Sequence, residues 1–284
     1  MKNLIVRALT GIIYVALLTG SLIHPVTSFF FFAAVAAATL WEFGTLMNTH
    51  AKASMPRSIN AMAGVILVAA VWLCSMASPQ PEQMFALYGL LLLYIIISGL
   101  YRHGSQPLRD WALCFASQVY IALPFALLPL LYNATDPETG DYVFNRIFPL
   151  TLFIFLWVND TFAYLCGCTL ARFVPYKLFP RISPKKSWIG SIGGGLFTIA
   201  AAVLTWTWLW TPAEMPLGRW LGFALVVIVF GTWGDLVESL IKRQLGIKDS
   251  GRILPGHGGM LDRFDSSLLA IPAVVTFLYV LSVF

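Results

Sequence analysis

Residues 234–266 read GDLVESLIKRQLGIKDSGRILPGHGGMLDRFDS, and this stretch decides how the rest of the chain is interpreted. It collects much of the scarce charge in a chain that is 58% apolar and only 11% charged. Continuous apolar runs lead into it and out of it. Two groups of carboxylates, around Asp235 and around Asp262, therefore fall where two membrane helices meet a basic, glycine-rich loop. Carboxylates beside lysine and arginine suit a divalent cation and a polyphosphate.

Apolar runs of about 20 residues recur along the whole chain, and each is long enough to cross a bilayer as a helix. The runs are continuous and do not alternate, which argues against membrane-spanning strands. We predict an all-α polytopic membrane protein with roughly nine transmembrane helices. The predicted spans are residues 4–23, 26–47, 59–77, 84–101, 111–132, 147–170, 188–210, 219–241 and 263–284. Pro124 and Pro129 predict a kink in the fifth.

The distribution of basic residues predicts the orientation of these spans. If the N-terminus is cytoplasmic, all of the 18 lysine and arginine residues except Arg146 and Arg219 fall in cytoplasmic segments. An odd number of spans then places the C-terminus outside. The polar residues of the first half lie mostly in loops, so we expect residues 1–146 to form a scaffold of about five spans. Residues 147–284 are expected to form a catalytic transmembrane domain of about four spans with basic cytoplasmic loops.

The end of the eighth span carries Asp235, Glu238, Ser239 and Lys242. On a helix, Asp235 shares a face with Glu238 and with Ser239. Glu238 and Lys242 are also four residues apart, so a helix-end salt bridge is an equal interpretation for Glu238. Asp235 lies one turn deeper, where an ionised carboxylate needs a partner or a cation.

The loop that follows ends in a group of glycines and aspartates. The glycines within residues 256–259 permit positive φ and a close approach to phosphate. Asp262 and Asp265 would share a face at the start of the ninth helix. Capping of that helix by an acidic side chain accounts for one of the two aspartates, but not for the whole loop. His257 is more typical of a hydrogen-bond donor than of a metal ligand.

Asp160 lies inside the sixth apolar span, four residues before Tyr164. A carboxylate in an apolar helix must face protein or water. It therefore marks either a functional site or a structural hydrogen bond between helices, and both interpretations stay open.

Residues 183–187, Ser-Pro-Lys-Lys-Ser, come directly before the seventh span. Two hydroxyls, two lysines and the backbone amides of a helix N-terminus make a natural anion site. Anchoring of the basic side chains to anionic lipid is the alternative. The glycines within residues 190–195 are expected to thin the wall of this helix and to leave a gap through which lipid acyl chains enter.

Residues 239–265 resemble the signature of the CDP-diacylglycerol synthase family, also called phosphatidate cytidylyltransferases. The signature has a serine, a Lys-Arg pair, a Lys-Asp pair, and then His-Gly-Gly followed by Asp-Arg and a final Asp. The matching positions are Ser239, Lys242, Arg243, Lys248, Asp249, His257, Gly258, Gly259, Asp262, Arg263 and Asp265. Asp160-Thr161 with Ala163-Tyr164, and residues 183–187, look like two further family segments.

This resemblance implies a nucleotidyltransferase of phospholipid biosynthesis that converts CTP and phosphatidic acid to CDP-diacylglycerol and pyrophosphate with Mg²⁺. Asp235 and Asp262 match the family positions associated with the metal, and a second cation stays open. Lys242 and Asp265 complete the predicted catalytic set. The predicted substrate-binding residues are Asp160, Ser183, Lys185, Lys186, Ser187, Arg243, Lys248, Asp249, His257, Gly258, Gly259 and Arg263.

The resemblance also implies the setting of the reaction. We expect a multi-pass protein of a bacterial-type cytoplasmic (inner) membrane, with the site facing the cytoplasm. CTP, phosphatidic acid and membrane lipid are the predicted partners, and a homodimer stays open. The net charge of +5 does not indicate nucleic acid, because the basic residues follow the membrane topology.

Two positions depart from the family pattern, and three other functions compete with it. Ile189 stands where the family often has Glu or Gln, and Phe162 stands where a small residue is common. A CTP-dependent enzyme with another lipid acceptor, a cation-coupled transporter and a catalytically silent scaffold are the alternatives. The one-sided charge and the lack of an inverted repeat argue against the transporter.

Overall fold

The computed structural model describes residues 2–76, 82–102, 106–135, 142–170, 172–173, 176–210, 215–251, 253 and 258–281. Ten α-helices follow one another in this part of the chain. They are α1 (Lys2–Ser21), α2 (Pro25–His50), α3 (Arg57–Ser75), α4 (Glu82–Ser98), α5 (Pro107–Ser117), α6 (Leu123–Leu127), α7 (Ile147–Leu170), α8 (Trp188–Leu209), α9 (Leu217–Gln244) and α10 (Leu261–Val280).

Within the described residues, eight helical segments are long and apolar enough to cross a membrane. The first predicted span is present as α1, of which Leu9–Ser21 forms a shorter apolar helix. The prediction of an all-α polytopic membrane protein is therefore confirmed, and its orientation stays a prediction. The fifth span, Pro107–Tyr132, is irregular near its prolines, because proline lacks the amide hydrogen that a helix interior needs.

That irregular span is continuous in the chain but changes its helical type three times. After α5 it forms a π-helix over Gln118–Ala122, and after α6 a 3₁₀ helix over Leu128–Tyr132. The π-helix begins at a buried polar group, where Gln118 Nε2 donates to the backbone oxygen of Asn60 at 2.8 Å. Asn60 Nδ2 in turn donates to Ser117 Oγ at 2.8 Å. Buried amides and hydroxyls need such partners, so this group fixes α3 against the fifth span.

Two short antiparallel hairpins lie in the connections, and the continuous apolar runs did not predict them. Strand β1 (Asn133–Thr135) pairs with β2 (Tyr142–Phe144). Strand β3 (Lys177–Phe179) pairs with β4 (Ser183–Ser187), with a register irregularity between Lys177 and Phe179. The β3–β4 hairpin carries the Ser-Pro-Lys-Lys-Ser segment directly into α8.

The chain packs as two compact units. The first unit contains Met1–Arg146 and Gln244–Phe264, and the second contains Ile147–Arg243 and Asp265–Phe284. The functional division into a scaffold (1–146) and a catalytic domain (147–284) stays a prediction.

The first unit has an aromatic core that holds the beginning of α10. Phe264 lies 5.4 Å from Phe125 and 6.4 Å from Phe32, between ring centroids, and it is buried. Tyr14 of α1 contacts the same ring and donates a hydrogen bond to the backbone oxygen of Arg263. Buried aromatic rings contribute a large hydrophobic area. They fix the first turn of α10, which carries Asp262.

The second unit depends on close packing of α7 against α8. A Cβ added at Gly194 would lie 2.5 Å from the backbone oxygen of Asn159, and one at Gly190 would lie 2.7 Å from that of Ala163. Two glycines four residues apart thus let the two helix backbones approach closely, as small residues do in membrane helix pairs.

This packing predicts that Gly194→Ala destabilises the protein, whereas Gly89→Ala does not. The added methyl at position 194 has no room, which costs about 1–3 kcal/mol. A Cβ at Gly89 of α4 meets nothing within 4 Å, and replacing a helical glycine by alanine gains about 0.5–1 kcal/mol. Thermal midpoints of the detergent-purified variants show whether the first substitution lowers stability and the second does not. Equal midpoints for the two variants would contradict the close contact.

Candidate active site

A cavity of about 580 Å³ lies in the second unit between α7, α9, the β3–β4 hairpin and the start of α8. Its wall carries two carboxylates, Asp160 and Asp235, and three lysines. The lysines come from the hairpin and are Lys177, Lys185 and Lys186. Its polar lining also includes hydroxyl and amide groups of Asn159, Tyr164, Ser187, Ser191 and Thr232. A cavity with both signs of charge suits a ligand that carries phosphate and a cation.

Asp235 is held by two partners, one on each carboxylate oxygen. Lys186 Nζ lies 2.5 Å from Oδ2, and Ser239 Oγ donates to Oδ1 at 3.2 Å. The side chains of Lys186 and Asp235 are 25% and 29% exposed. Because this pair is still open to the cavity, a substrate phosphate or a cation can exchange for one of the two partners.

The carboxylate that shares a helix face with Asp235 is paired differently. Glu238 is fully buried, and its Oε2 lies 2.5 Å from Nζ of Lys242, four residues along α9. The helix-end salt bridge that was an alternative for Glu238 is therefore the arrangement found. Lys242 also lies within electrostatic range of Asp265.

The β3–β4 hairpin delivers Lys185 and Lys186 and then turns into α8. Ser187 is buried at the N-cap of α8, where its Oγ accepts a hydrogen bond from the backbone N–H of Gly190 at 3.2 Å. A serine at this position satisfies one of the unpaired amides of the helix start. The cap thus fixes the point at which the two preceding lysines enter the cavity.

The glycines of α8 do not leave the gap that the sequence suggested for acyl chains. A Cβ at Gly193 would lie 2.5 Å from Cys166 Sγ, and those at Gly190 and Gly194 would meet the backbone of α7. These glycines let α7 and α8 pack tightly, because atoms of α7 occupy the space that side chains at these positions would fill. Phe162, one of the departures from the family pattern, stacks on Phe197 of α8 with 3.9 Å between ring centroids.

Asp265 joins the carboxylates of the second unit through the contact of α9 with α10. A Cβ at Gly234 would lie 2.5 Å from the backbone oxygen of Asp265, so this glycine permits the approach. Asp265 lies within electrostatic range of both Asp235 and Asp160, and its Oδ1 accepts from the N–H of Ser266 at 2.6 Å. Three carboxylates thus share one region of the second unit.

The first unit holds the other described residues of the predicted site, in the loop before α10 and in the first turn of that helix. Asp262 Oδ2 accepts hydrogen bonds from the N–H of Ser250 at 2.9 Å and of Gly259 at 2.8 Å. Gly258 has a φ of 84°, and a Cβ there would meet Asp262. In the structure these glycines approach carboxylates of the protein itself, and Asp262 helps to close the loop.

The predicted site residues therefore fall into three groups. Those that line the cavity are Asp160, Lys185, Lys186, Ser187 and Asp235. Others belong to the second unit outside the cavity wall: Ser183, Lys242, Arg243 and Asp265. A third group lies in the first unit: Lys248, Asp249, Gly258, Gly259, Asp262 and Arg263. His257 lies outside the described residues. Whether Asp235 and Asp262 share one cation stays a prediction.

Sequence reasoning missed two charged side chains with defined places. Lys177 lines the cavity from β3, outside the Ser-Pro-Lys-Lys-Ser segment from which the anion site was predicted. Glu42 of α2 is 5% exposed, and its carboxylate accepts from Ser250, Met260 and Leu261. The signal for Glu42 was present, since a carboxylate near the end of an apolar span needs a partner.

The lining fits a divalent metal in its chemistry. Among the described residues, no three His, Cys, Asp or Glu side chains are grouped so as to hold a metal. Mg²⁺ does not require such a cage, because one or two carboxylates together with substrate phosphates and water complete its shell. Asp160 and Asp235 supply carboxylates of this kind to one cavity.

Comparison with known proteins decides the family. The model of the cytidylyltransferase family matches residues 5–281. The chain belongs to the cytidylyltransferase family. It is 32% identical over 273 residues to the phosphatidate cytidylyltransferase of Staphylococcus haemolyticus (strain JCSC1435), covering 94% of this chain and 96% of that protein. It is 33% identical, over the same shares, to the phosphatidate cytidylyltransferase of Staphylococcus aureus (strain COL).

Membership makes this cytidylyltransferase a multi-pass membrane enzyme of the nucleotidyltransferase class. Enzymes of the family generally use a divalent metal. The match begins in α1 and ends one residue after α10, so it includes both compact units.

The exposure of the Lys186–Asp235 pair predicts that it contributes little to stability. Lys186→Gln and Asp235→Asn should each change the free energy of unfolding by less than about 1 kcal/mol, because partly exposed ion pairs are screened by water. Thermal melting of the two single variants and the double variant gives the coupling energy. A coupling above about 2 kcal/mol would mean that the pair is structural and would weaken its assignment to the active site.

Proposed function

We propose that this chain is a phosphatidate cytidylyltransferase that makes CDP-diacylglycerol and pyrophosphate from CTP and phosphatidic acid. The observation that carries the proposal is the cavity of the second unit, where Asp160 and Asp235 meet three lysines. It lies in a chain whose relatives, over 94% of its length, are named for this reaction. We place the reaction in phospholipid biosynthesis, at the cytoplasmic face of a bacterial inner membrane.

The chemistry is a substitution at phosphorus. An ionised oxygen of the phosphatidate phosphate forms a bond to the α-phosphorus of CTP. The bond from that phosphorus to the oxygen bridging to the β-phosphate breaks, and pyrophosphate leaves with the electron pair. Because phosphatidate is ionised at neutral pH, no general base is needed. Positioning and neutralisation of charge then supply most of the rate.

The lysines of the hairpin perform the neutralisation in this proposal. Lys185 and Lys186 hold phosphate oxygens, and Lys177 lies on the same cavity wall. When Lys186 pairs with a substrate phosphate, one oxygen of Asp235 loses its ion pair. Lys242, Arg243, Lys248 and Arg263 stay predicted contacts of the substrate phosphates.

Magnesium is the proposed cofactor. Asp235 is its proposed ligand, with Asp262 retained as the second predicted ligand and Asp160 and Asp265 as further carboxylates. Bound Mg²⁺ supplies positive charge to the phosphate oxygens and polarises them. The chain itself supplies carboxylate oxygens for the cation and lysines for the phosphates in one cavity wall.

Asp235→Asn tests the proposal most simply. Incorporation of radiolabelled CTP into lipid by the purified protein should fall on the order of 100-fold, because an amide cannot replace the carboxylate at a charge-stabilised step. Glu82→Gln, which changes an exposed carboxylate at the start of α4, is the matched control and should keep wild-type activity. Parallel assays with phosphatidic acid and with polyprenyl phosphate identify the acceptor. Wild-type protein that uses only the latter would overturn the assignment.

Lys177→Gln should raise the KM for a phosphate substrate roughly three- to tenfold while the protein stays folded, because one phosphate contact is lost. Arg181→Gln is the control, since Arg181 is an exposed basic residue of the same hairpin region that does not line the cavity. Steady-state kinetics with CTP and phosphatidic acid varied in turn show which substrate Lys177 contacts. An unchanged KM for both substrates would remove Lys177 from the site.

A further inference from the structure

We propose that Glu42 of α2 is a positioning residue for this reaction, acting through Ser250 and the first turn of α10 on the side chain of Asp262. The inference rests on the proposed function, in which Asp262 is a predicted ligand of the metal. It assigns a role in the reaction to a helix of the first half of the chain, which the sequence had placed in the scaffold.

The Glu42 carboxylate accepts three hydrogen bonds from the loop before α10 and from the start of that helix. Its Oε1 accepts from Ser250 Oγ at 2.5 Å and from the N–H of Leu261 at 3.1 Å. Its Oε2 accepts from the N–H of Met260 at 2.8 Å. The amides at a helix start have no partner within the helix, and negative charge is favourable there. Glu42 thus caps α10 from a position more than 200 residues away in the chain.

Ser250 connects this carboxylate to that of Asp262. While Ser250 Oγ donates to Glu42, it also accepts from the N–H of Asp262 at 3.3 Å. The N–H of Ser250 donates to Asp262 Oδ2 at 2.9 Å. One serine therefore contacts both carboxylates, and it is 3% exposed. A displacement of Glu42 would reach Asp262 through this serine and through the backbone of Met260 and Leu261.

The backbone of the loop is shaped around Glu42. A Cβ at Gly251 would lie 2.6 Å from its Oε2, and a Cβ at Gly259 would overlap its Oε1. Gly259 also donates its N–H to Asp262 Oδ2. Gly259, the second glycine after His257 in the family signature, therefore leaves room for a carboxylate from another helix, while its amide holds the predicted metal ligand.

A residue that positions Asp262 should affect the reaction, whereas a residue that only stabilises the fold should not. Asp110 is the control that distinguishes these two roles for Glu42. Asp110 is a second buried carboxylate of the first unit, also 5% exposed, and it accepts from the N–H of Ser54 at 3.0 Å. Its partner belongs to the loop between α2 and α3, so it has no link to Asp262 through Ser250. Asp110→Asn and Glu42→Gln both put an amide in place of a buried carboxylate.

The experiment compares Glu42→Gln, Glu42→Asp and Asp110→Asn in the purified full-length protein. The glutamine amide offers one acceptor oxygen and turns an N–H₂ towards a backbone donor. We expect both amide variants to lower the thermal midpoint. Only Glu42→Gln should also lower kcat, about 10- to 100-fold, and raise the Mg²⁺ concentration needed for half-maximal rate. Glu42→Asp, which keeps the charge, should recover part of the loss.

Hydrogen exchange gives a readout that does not depend on activity. Amides of residues 259–262 should exchange at least tenfold faster in Glu42→Gln than in wild type, and at the wild-type rate in Asp110→Asn. The inference is overturned if the kinetics or exchange rates of Glu42→Gln match those of Asp110→Asn.

If wild-type protein shows no cytidylyltransferase activity, the proposed function fails, and the exchange rates alone decide whether Glu42 holds the loop. Should Glu42→Gln not fold, Ser250→Ala, which removes the connecting hydroxyl, is measured in its place with the same expectations.

Discussion

A charged side chain in a mostly apolar membrane chain needs a partner, and this requirement organises both units of the protein. In the second unit Asp235 pairs with Lys186 of the hairpin, and Glu238 pairs with Lys242 one turn along the same helix. In the first unit Glu42 caps the start of α10. The pair formed by Glu238 stays within its own helix. The other two join segments that are distant in the sequence, and in each case one of the joined segments carries residues that resemble the family pattern.

The three carboxylates differ in how exposed they are, and this difference distinguishes those that stabilise the fold from the one proposed to act in the reaction. Glu42 and Glu238 are buried and paired with groups of the protein, whereas Asp235 keeps an open face towards the cavity. An ion pair that water and ligands can reach is one that a substrate can replace. The proposed reaction uses this property, since charged phosphates enter a wall that carries three lysines and two carboxylates. Gly190 and Gly194 support the arrangement by keeping α7 and α8 in contact beside the cavity.

The sequence predicted the spans well, because length and apolar character decide them. The sixth span was predicted at residues 147–170, and α7 covers Ile147–Leu170. The β3–β4 hairpin was not predicted, because strands as short as Lys177–Phe179 leave no periodic signal. The place of Lys177 in the cavity depends on that hairpin. The role of Glu42 as a cap depends on contacts across 218 and 219 residues, which no local pattern reveals. The gap expected at the glycines of α8 was wrong, since glycine marks close packing as well as open space.

A structure of the protein with CTP and magnesium bound would show directly whether the exposed Lys186–Asp235 pair is where the triphosphate binds. We expect the triphosphate to lie in the cavity of the second unit, with phosphate oxygens within hydrogen-bond distance of Lys185 or Lys186 and the metal on Asp235. A nucleotide bound elsewhere, with the Lys186–Asp235 pair unchanged and no metal at Asp235, would contradict it.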